Sequence, residues 1–257
     1  MIREARVALD DALDGPAAAV LTLARPEKKN ALSSEMVAAL VDAAHRADAD
    51  ARVRALVLAA DGDVFAAGGD LDEIAAALAS PAGANEIISV GARLRALEEL
   101  DVPVLMALSG DVYGGGCELT LLADVVVLEE HARLSFRHAR MGLAPAWGGT
   151  ARLLERVGPT VAARMLFTSE RIDARTAERT GLVTEVVASG KSAERCVAIA
   201  REIAKASRST ITAQKRGLSL ARAAMRSARE AAEAEAQVFQ GLFGGAAHLA
   251  AMKVMGR

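Results

Sequence analysis

The sequence predicts an α/β fold: parallel strands alternating with helices over residues 1–190, then a helical region over residues 191–257. Three observations carry this expectation. Short apolar runs recur at 55–59, 102–108 and 125–128, each bounded by charge or glycine, which is the pattern of strands buried on both faces. Stretches with helical spacing fall between them, the alternation expected of parallel pairing. From Lys191 onward the chain becomes Ala-rich with Glu and Arg, and no further strand signal occurs.

The elements follow in order. Residues 7–23 alternate loosely around the turn signal Asp14-Gly15-Pro16, so a β-hairpin is expected, and Pro26 ends its second strand. Met36, Val37, Leu40, Val41 and Ala44 recur at helical spacing behind Ser33 or Ser34 as N-cap. The run 55–59 stops at Asp61-Gly62-Asp63. The run 102–108 leads into Ser109-Gly110, and the triplet Gly114-Gly115-Gly116 opens a helix from Cys117. A last short strand is expected over 182–187. The tail reads as about three helices, and its Ala and Leu content exceeds what one small core can bury, which predicts a partner subunit.

Composition narrows the functional classes. An aromatic share of 3% means that the core is built from Ala, Val, Leu and Ile. Lys+Arg 31 against Asp+Glu 33 leaves no basic footprint for nucleic acid. Cys117 and Cys196 are too few for a disulfide framework, and a reducing cytoplasm is expected. The first residues carry scattered charge without an apolar stretch, which speaks against a signal peptide. No run reaches the roughly 18 apolar residues of a membrane span, so a soluble protein is expected.

Several familiar signatures are absent: there is no GxSxG, and no GxGxxG follows a strand, so no nicotinamide cofactor is expected. Gly190-Lys191-Ser192 imitates the end of a P-loop, but Glu185 stands where its first glycine belongs. His45, His131, His138 and His248 lack HExxH spacing, and no metal site is expected.

Two glycine-bearing segments remain: Val64-Phe65-Ala66-Ala67-Gly68-Gly69-Asp70-Leu71 and Tyr113-Gly114-Gly115-Gly116-Cys117-Glu118-Leu119. Singly, each has a structural reading, as a tight turn or, for Asp70 with Glu73, a capping box. Together they suggest chemistry. A glycine lets a ligand carbonyl approach a backbone N–H closely, and the first N–H groups of a helix are unpaired. Two such groups converging make an oxyanion hole, each donor worth roughly 2.7–4 kcal/mol to a transition state. Glu118, three residues beyond Gly115, projects to nearly the same side and has the chemistry of a general base.

These segments, in this order, resemble the crotonase (enoyl-CoA hydratase/isomerase) superfamily. The likeness also takes in Ala24-Arg25-Pro26 with Asn30-Ala31-Leu32, Met141-Gly142-Leu143 with Pro145 and Gly148-Gly149-Thr150, and Arg171-Ile172-Asp173-Ala174 leading to Gly181-Leu182-Val183. The resemblance implies a spiral of ββα turns and a helical C-terminal region that trimerises, often into a hexamer. It implies an acyl-CoA substrate, with coenzyme A part of the substrate and no separate cofactor. By position, the oxyanion N–H groups fall on Gly69 and Gly115. Contacts to CoA fall on Lys28, Ala67, Gly69, Asp70, Leu71, Asp72 and Gly115, with a solvated lysine the alternative reading of Lys28. Glu118 matches the first of the two hydratase glutamates.

The departure is at the second glutamate. Four residues before Gly142, where hydratases carry an acid, this chain has His138, in a stretch two residues shorter than the hydratase pattern. Hydration of a 2-enoyl-CoA is the leading expectation, with Glu118 activating water and His138 relaying a proton. Decarboxylation of a malonyl-type CoA is the alternative, because residues 136–149 and the ending Phe243-Gly244-Gly245-Ala246 resemble the ethylmalonyl-CoA decarboxylase branch. A non-catalytic acyl-CoA binder is the third reading, against which Glu118 argues.

Overall fold

The apolar runs become strands laid side by side. The computed structural model describes residues 1–10, 14–225 and 228–255. Its strands are β1 (Ile2–Ala8), β2 (Ala17–Leu23), β3 (Val53–Ala60), β4 (Val64–Ala66), β5 (Val104–Leu108), β6 (Asp111–Tyr113), β7 (Val125–Glu129), β8 (Arg133–Ser135), β9 (Ile172–Asp173) and β10 (Glu185–Val187). They form a larger sheet in the order β1-β2-β3-β5-β7-β10 and a smaller one in the order β4-β6-β8-β9. β1 and β2 pair antiparallel as the expected hairpin, although Asp11, Ala12 and Leu13 of its turn lie outside the described residues.

A long strand of the first sheet is followed, after a short turn, by a short strand of the second: β3 by β4, β5 by β6, β7 by β8. The long strands pair parallel with one another, and so do the short ones. The chain therefore winds in ββα turns. Its connecting helices are α1 (Ser34–Ala49), α2 (Leu71–Ala77), α3 (Gly83–Leu94), α4 (Ala96–Glu99), α5 (Gly115–Thr120), α6 (Gly149–Val157), α7 (Pro159–Thr168) and α8 (Ala174–Arg179). The N-cap of α1 is Ser33, whose hydroxyl accepts from the Met36 N–H.

The long strands are apolar throughout because both faces are covered. Leu56, Leu58, Val104, Met106, Val126 and Leu128 face the core between the sheets and α1. The alternate residues, Ala55, Val57, Leu105, Ala107 and Val127, pack against Cys196 and Ala200 of α9 (Ser192–Ala204). Period-two alternation sorts the two sets.

Four expectations are adjusted. The strand expected from 102 begins at Val104, since Pro103 has no N–H to give a ladder. Only 185–187 of the segment 182–187 is strand, while Leu182 and Val183 are buried in the turn after α8. The tail holds four helices among the described residues, not three: α9, α10 (Arg208–Met225), α11 (Ala228–Leu242) and α12 (Ala246–Met255). The first of these helices, α9, belongs to the packing of the sheet. Finally, Asp70 and Glu73 form no capping box: Asp70 caps α2 by accepting from the Asp72 N–H, but Glu73 turns away to accept from the Ser34 N–H and hydroxyl. A neighbouring helix start outcompeted the local partner.

Among the described residues no helix is long and apolar enough to cross a membrane.

Candidate active site

The parallel pairing of β4 with β6 decides where the two glycine segments go. Val64 is in register with Asp111 and Ala66 with Val112, so both strands deliver their following turns to the same edge. Gly68 (φ +102°) and Gly114 (φ +50°) make those turns in backbone conformations that favour glycine. A Cβ on Gly68 would lie 3.0 Å from the Gly115 nitrogen, so the turns are in contact. From the other side the loop before α1 braces the first turn: Leu32 N–H donates to the Gly68 carbonyl at 2.7 Å, and Ala67 N–H to the Lys29 carbonyl at 3.0 Å. Neither the Gly69 nor the Gly115 N–H has an acceptor among the described residues.

The positions expected to contact CoA split between the buried and the exposed side of this edge. Asp70 is buried and paired with Arg25 at 2.5 Å. Burial pushes its carboxyl upward, but the Arg25 guanidinium and the Asp72 and Glu73 N–H groups outweigh burial and hold it below the ordinary range. Leu71 and Asp72 are exposed, and Lys28 forms an ion pair with Asp72 at 2.9 Å.

Glu118 and His138 meet at the second turn. Glu118 is 3% exposed on α5. Its Oε1 stands 2.9 Å from His138 Nε2 and accepts weakly from the Ala146 N–H at 3.4 Å. Its Oε2 accepts from the Trp147 N–H at 2.8 Å and the Gly149 N–H at 3.0 Å. A carboxylate has about four lone-pair sites, and all are engaged here. With Glu118 ionised the carboxylate only accepts, and His138 Nε2 is then the donor of this bond. His138 Nδ1 is buried and has no partner. The histidine rides on the 3-10 turn Arg137–Met141, which α12 braces: a Cβ on Gly142 would lie 2.5 Å from the His248 nitrogen.

Sequence reasoning missed a second carboxyl at this place. Glu235 of α11 accepts from the Gly148 N–H at 2.6 Å and the Thr150 N–H at 3.1 Å. The N–H groups of 147–150 thus alternate between Glu118 and Glu235. Burial, and after it the charge of Glu118, push the Glu235 carboxyl up to about 7. Glu233 and Glu235 look alike in an Ala-rich helix, and only the buried Phe239 one turn on marks the inward face. Trp147 was also passed over as a site residue. Its indole lies against both Gly69 and Gly115.

Residues 15–252 match the family model described as enoyl-CoA hydratase/isomerase. The chain is 35% identical to a 2,3-dehydroadipyl-CoA hydratase of Escherichia coli (strain K12) over 77% of each chain. It is 34% identical to a crotonyl-CoA hydratase of Syntrophomonas wolfei over 66% of this chain and 65% of that one. Among solved structures, an enoyl-CoA hydratase/isomerase from Xanthobacter autotrophicus Py2 superposes with a TM-score of 0.86 at 26% identity, covering 99% of this chain and 93% of that one.

Proposed function

The chain belongs to the enoyl-CoA hydratase/isomerase family, and from that premise we propose that it adds water across the double bond of a 2-enoyl-CoA through a backbone-stabilised enolate. The observation that carries the reading is the Glu118–His138 pair beside two unpaired N–H groups. The thioester oxygen lies between the N–H groups of Gly69 and Gly115, which hold the negative charge that develops there. Lys28, Ala67 and the segment 69–72 line the CoA portion.

The division of labour follows from free lone pairs. Glu118 has none to spare, so it orients His138 and stabilises the imidazolium, and His138 Nδ1 takes the proton from water. Hydroxide adds to C3, the electron pair moves into the thioester as the enolate, and Nδ1–H returns the proton to C2. Atoms balance, and one group serves as base and then acid. This reverses the sequence-based expectation, in which Glu118 activated the water.

One specific observation supports the second reading, decarboxylation of a malonyl-type CoA. Loss of CO₂ generates the enolate without a base, and a single proton donor then suffices, which an imidazolium at His138 supplies with its Nε2–H on Glu118 and its Nδ1–H free. For assembly, we propose a trimer or a dimer of trimers. Leu218, Leu220, Val238, Leu249 and Val254 on the C-terminal helices, with Phe167 on α7, expose apolar surface that such contacts would cover.

A paired assay tests the reading: hydration of crotonyl-CoA, followed by loss of its ultraviolet band, beside CO₂ release from methylmalonyl- and ethylmalonyl-CoA. Hydration that depends on His138 supports the proposal; CO₂ release alone replaces it with the second reading.

A further inference from the structure

We infer that Trp147 is a specificity-determining residue that limits the acyl group to crotonyl-sized chains. This rests on the assignment of Gly69 and Gly115 as the donors to the thioester oxygen. An acyl chain attached to a carbonyl held between those two N–H groups must begin within a few ångströms of both glycines. The indole already occupies that neighbourhood. A Cβ on Gly115 would lie 2.3 Å from Trp147 Cζ3 and 2.7 Å from Cη2, and one on Gly69 would lie 3.8 Å from Cζ2. One six-membered ring therefore packs on both turns. Ile74 of α2 closes the same space, with its Cδ1 3.1 Å from where a Gly69 Cβ would stand.

The ring is fastened at its nitrogen and its residue at the backbone, which opposes a swing away for a longer chain. Its Nε1–H donates to the Ile87 carbonyl at 2.9 Å. Its backbone N–H donates to Glu118 Oε2, and its carbonyl accepts from Arg152 at 3.0 Å. Behind it, α3 carries Gly91, where a Cβ would lie 2.6 Å from the Trp147 Cβ, so the helix approaches the residue as closely as a missing side chain allows. Trp147 itself is 7% exposed. Close-packed walls of this kind are felt at the level of single methylenes. The site therefore takes short acyl groups and rejects medium and long ones.

Trp147 is the sole tryptophan of the chain, so its fluorescence reports on this wall alone. The unmodified protein is titrated with free CoA and with butyryl-, hexanoyl-, octanoyl- and decanoyl-CoA, and kcat/KM is measured on the 2-enoyl-CoA series of the same lengths. The expected result is a fluorescence change with butyryl-CoA well beyond that with CoA, and affinity and kcat/KM that fall about tenfold or more for each two carbons added. Trp147→Ala shifts the preference toward eight and ten carbons, and Trp147→Phe gives an intermediate profile. Equal affinity and turnover across all lengths in the unmodified protein overturns the inference, whatever becomes of the variants. Absence of turnover at every length counts against the hydratase reading instead, and the saturated esters then decide the chain-length limit by binding alone.

Discussion

Glu118 and Glu235, carried on α5 and α11, divide between them the successive backbone donors of one turn: Trp147 and Gly149 bond to the first, Gly148 and Thr150 to the second. The C-terminal region is thereby tied to the carboxylate that orients His138. Replacing Glu235 with Ala leaves two backbone N–H groups without acceptors, at about 1–3 kcal/mol for each that stays buried. We expect Tm to fall by several degrees and kcat to fall with it, and Glu235→Gln to recover part of both. A Glu235→Ala variant with unchanged Tm and kcat would show that the turn holds without α11.

The same carboxyl makes stability depend on pH. Its folded pKa of about 7 lies above the ordinary glutamate value, so the folded state binds the proton more tightly than the unfolded one. Its contribution is fully present below about pH 4.3 and is lost as pH rises toward and through about 7, by up to about 3 kcal/mol. The charge opposing its ionisation is that of Glu118 across the turn, itself bonded to His138, while the Gly148 and Thr150 N–H groups favour the ionised form. Denaturant titrations at pH 5 and pH 8 should show Glu235→Gln losing less stability over this interval than the unmodified protein. Parallel pH profiles contradict the assignment.

Glu118→Gln tests a position where charge and acceptor number both count. The amide nitrogen cannot accept, so either His138 Nε2 or the Trp147 and Gly149 N–H groups lose a partner in a site that is 3% exposed. The expected outcome is a loss of both kcat and thermal stability, a degree or two to several degrees by calorimetry. A variant that loses activity at full stability would point instead to Glu118 as the base.

Gly115→Ala drives a methyl into the Trp147 ring, 2.3 Å from Cζ3. Overpacking of this order costs about 1–3 kcal/mol. Because the obstacle is one side chain, Gly115→Ala with Trp147→Ala should be less destabilised than the sum of the two single variants. A double-mutant cycle in urea measures the coupling, and strict additivity would contradict the contact.

The sequence made legible what depends on local pattern. The runs at 55–59 and 125–128 betrayed strands covered on both faces, and the pair Ser33 and Ser34 marked the start of α1, because hydrophobic period and capping are properties of neighbours in the chain. The two glycine turns and Glu118 were readable for the same reason, since each turn directly precedes a helix. What stayed hidden depends on contacts across the fold. Glu73 abandoned its own helix for Ser34, Trp147 reached both glycine turns from a distant loop, and Glu235 was indistinguishable from Glu233 until α11 docked. The proposed division of labour between Glu118 and His138 also rests on the structure, because the count of engaged lone pairs depends on contacts across the fold.

The most direct test of that assignment is the steady-state hydration of crotonyl-CoA by His138→Ala beside the unmodified protein, with Tm measured on both. The account predicts a fall in kcat of about 10²–10⁴-fold with KM little changed and the fold intact. A kcat within a few-fold of the unmodified enzyme would contradict it and return the proton transfer to Glu118.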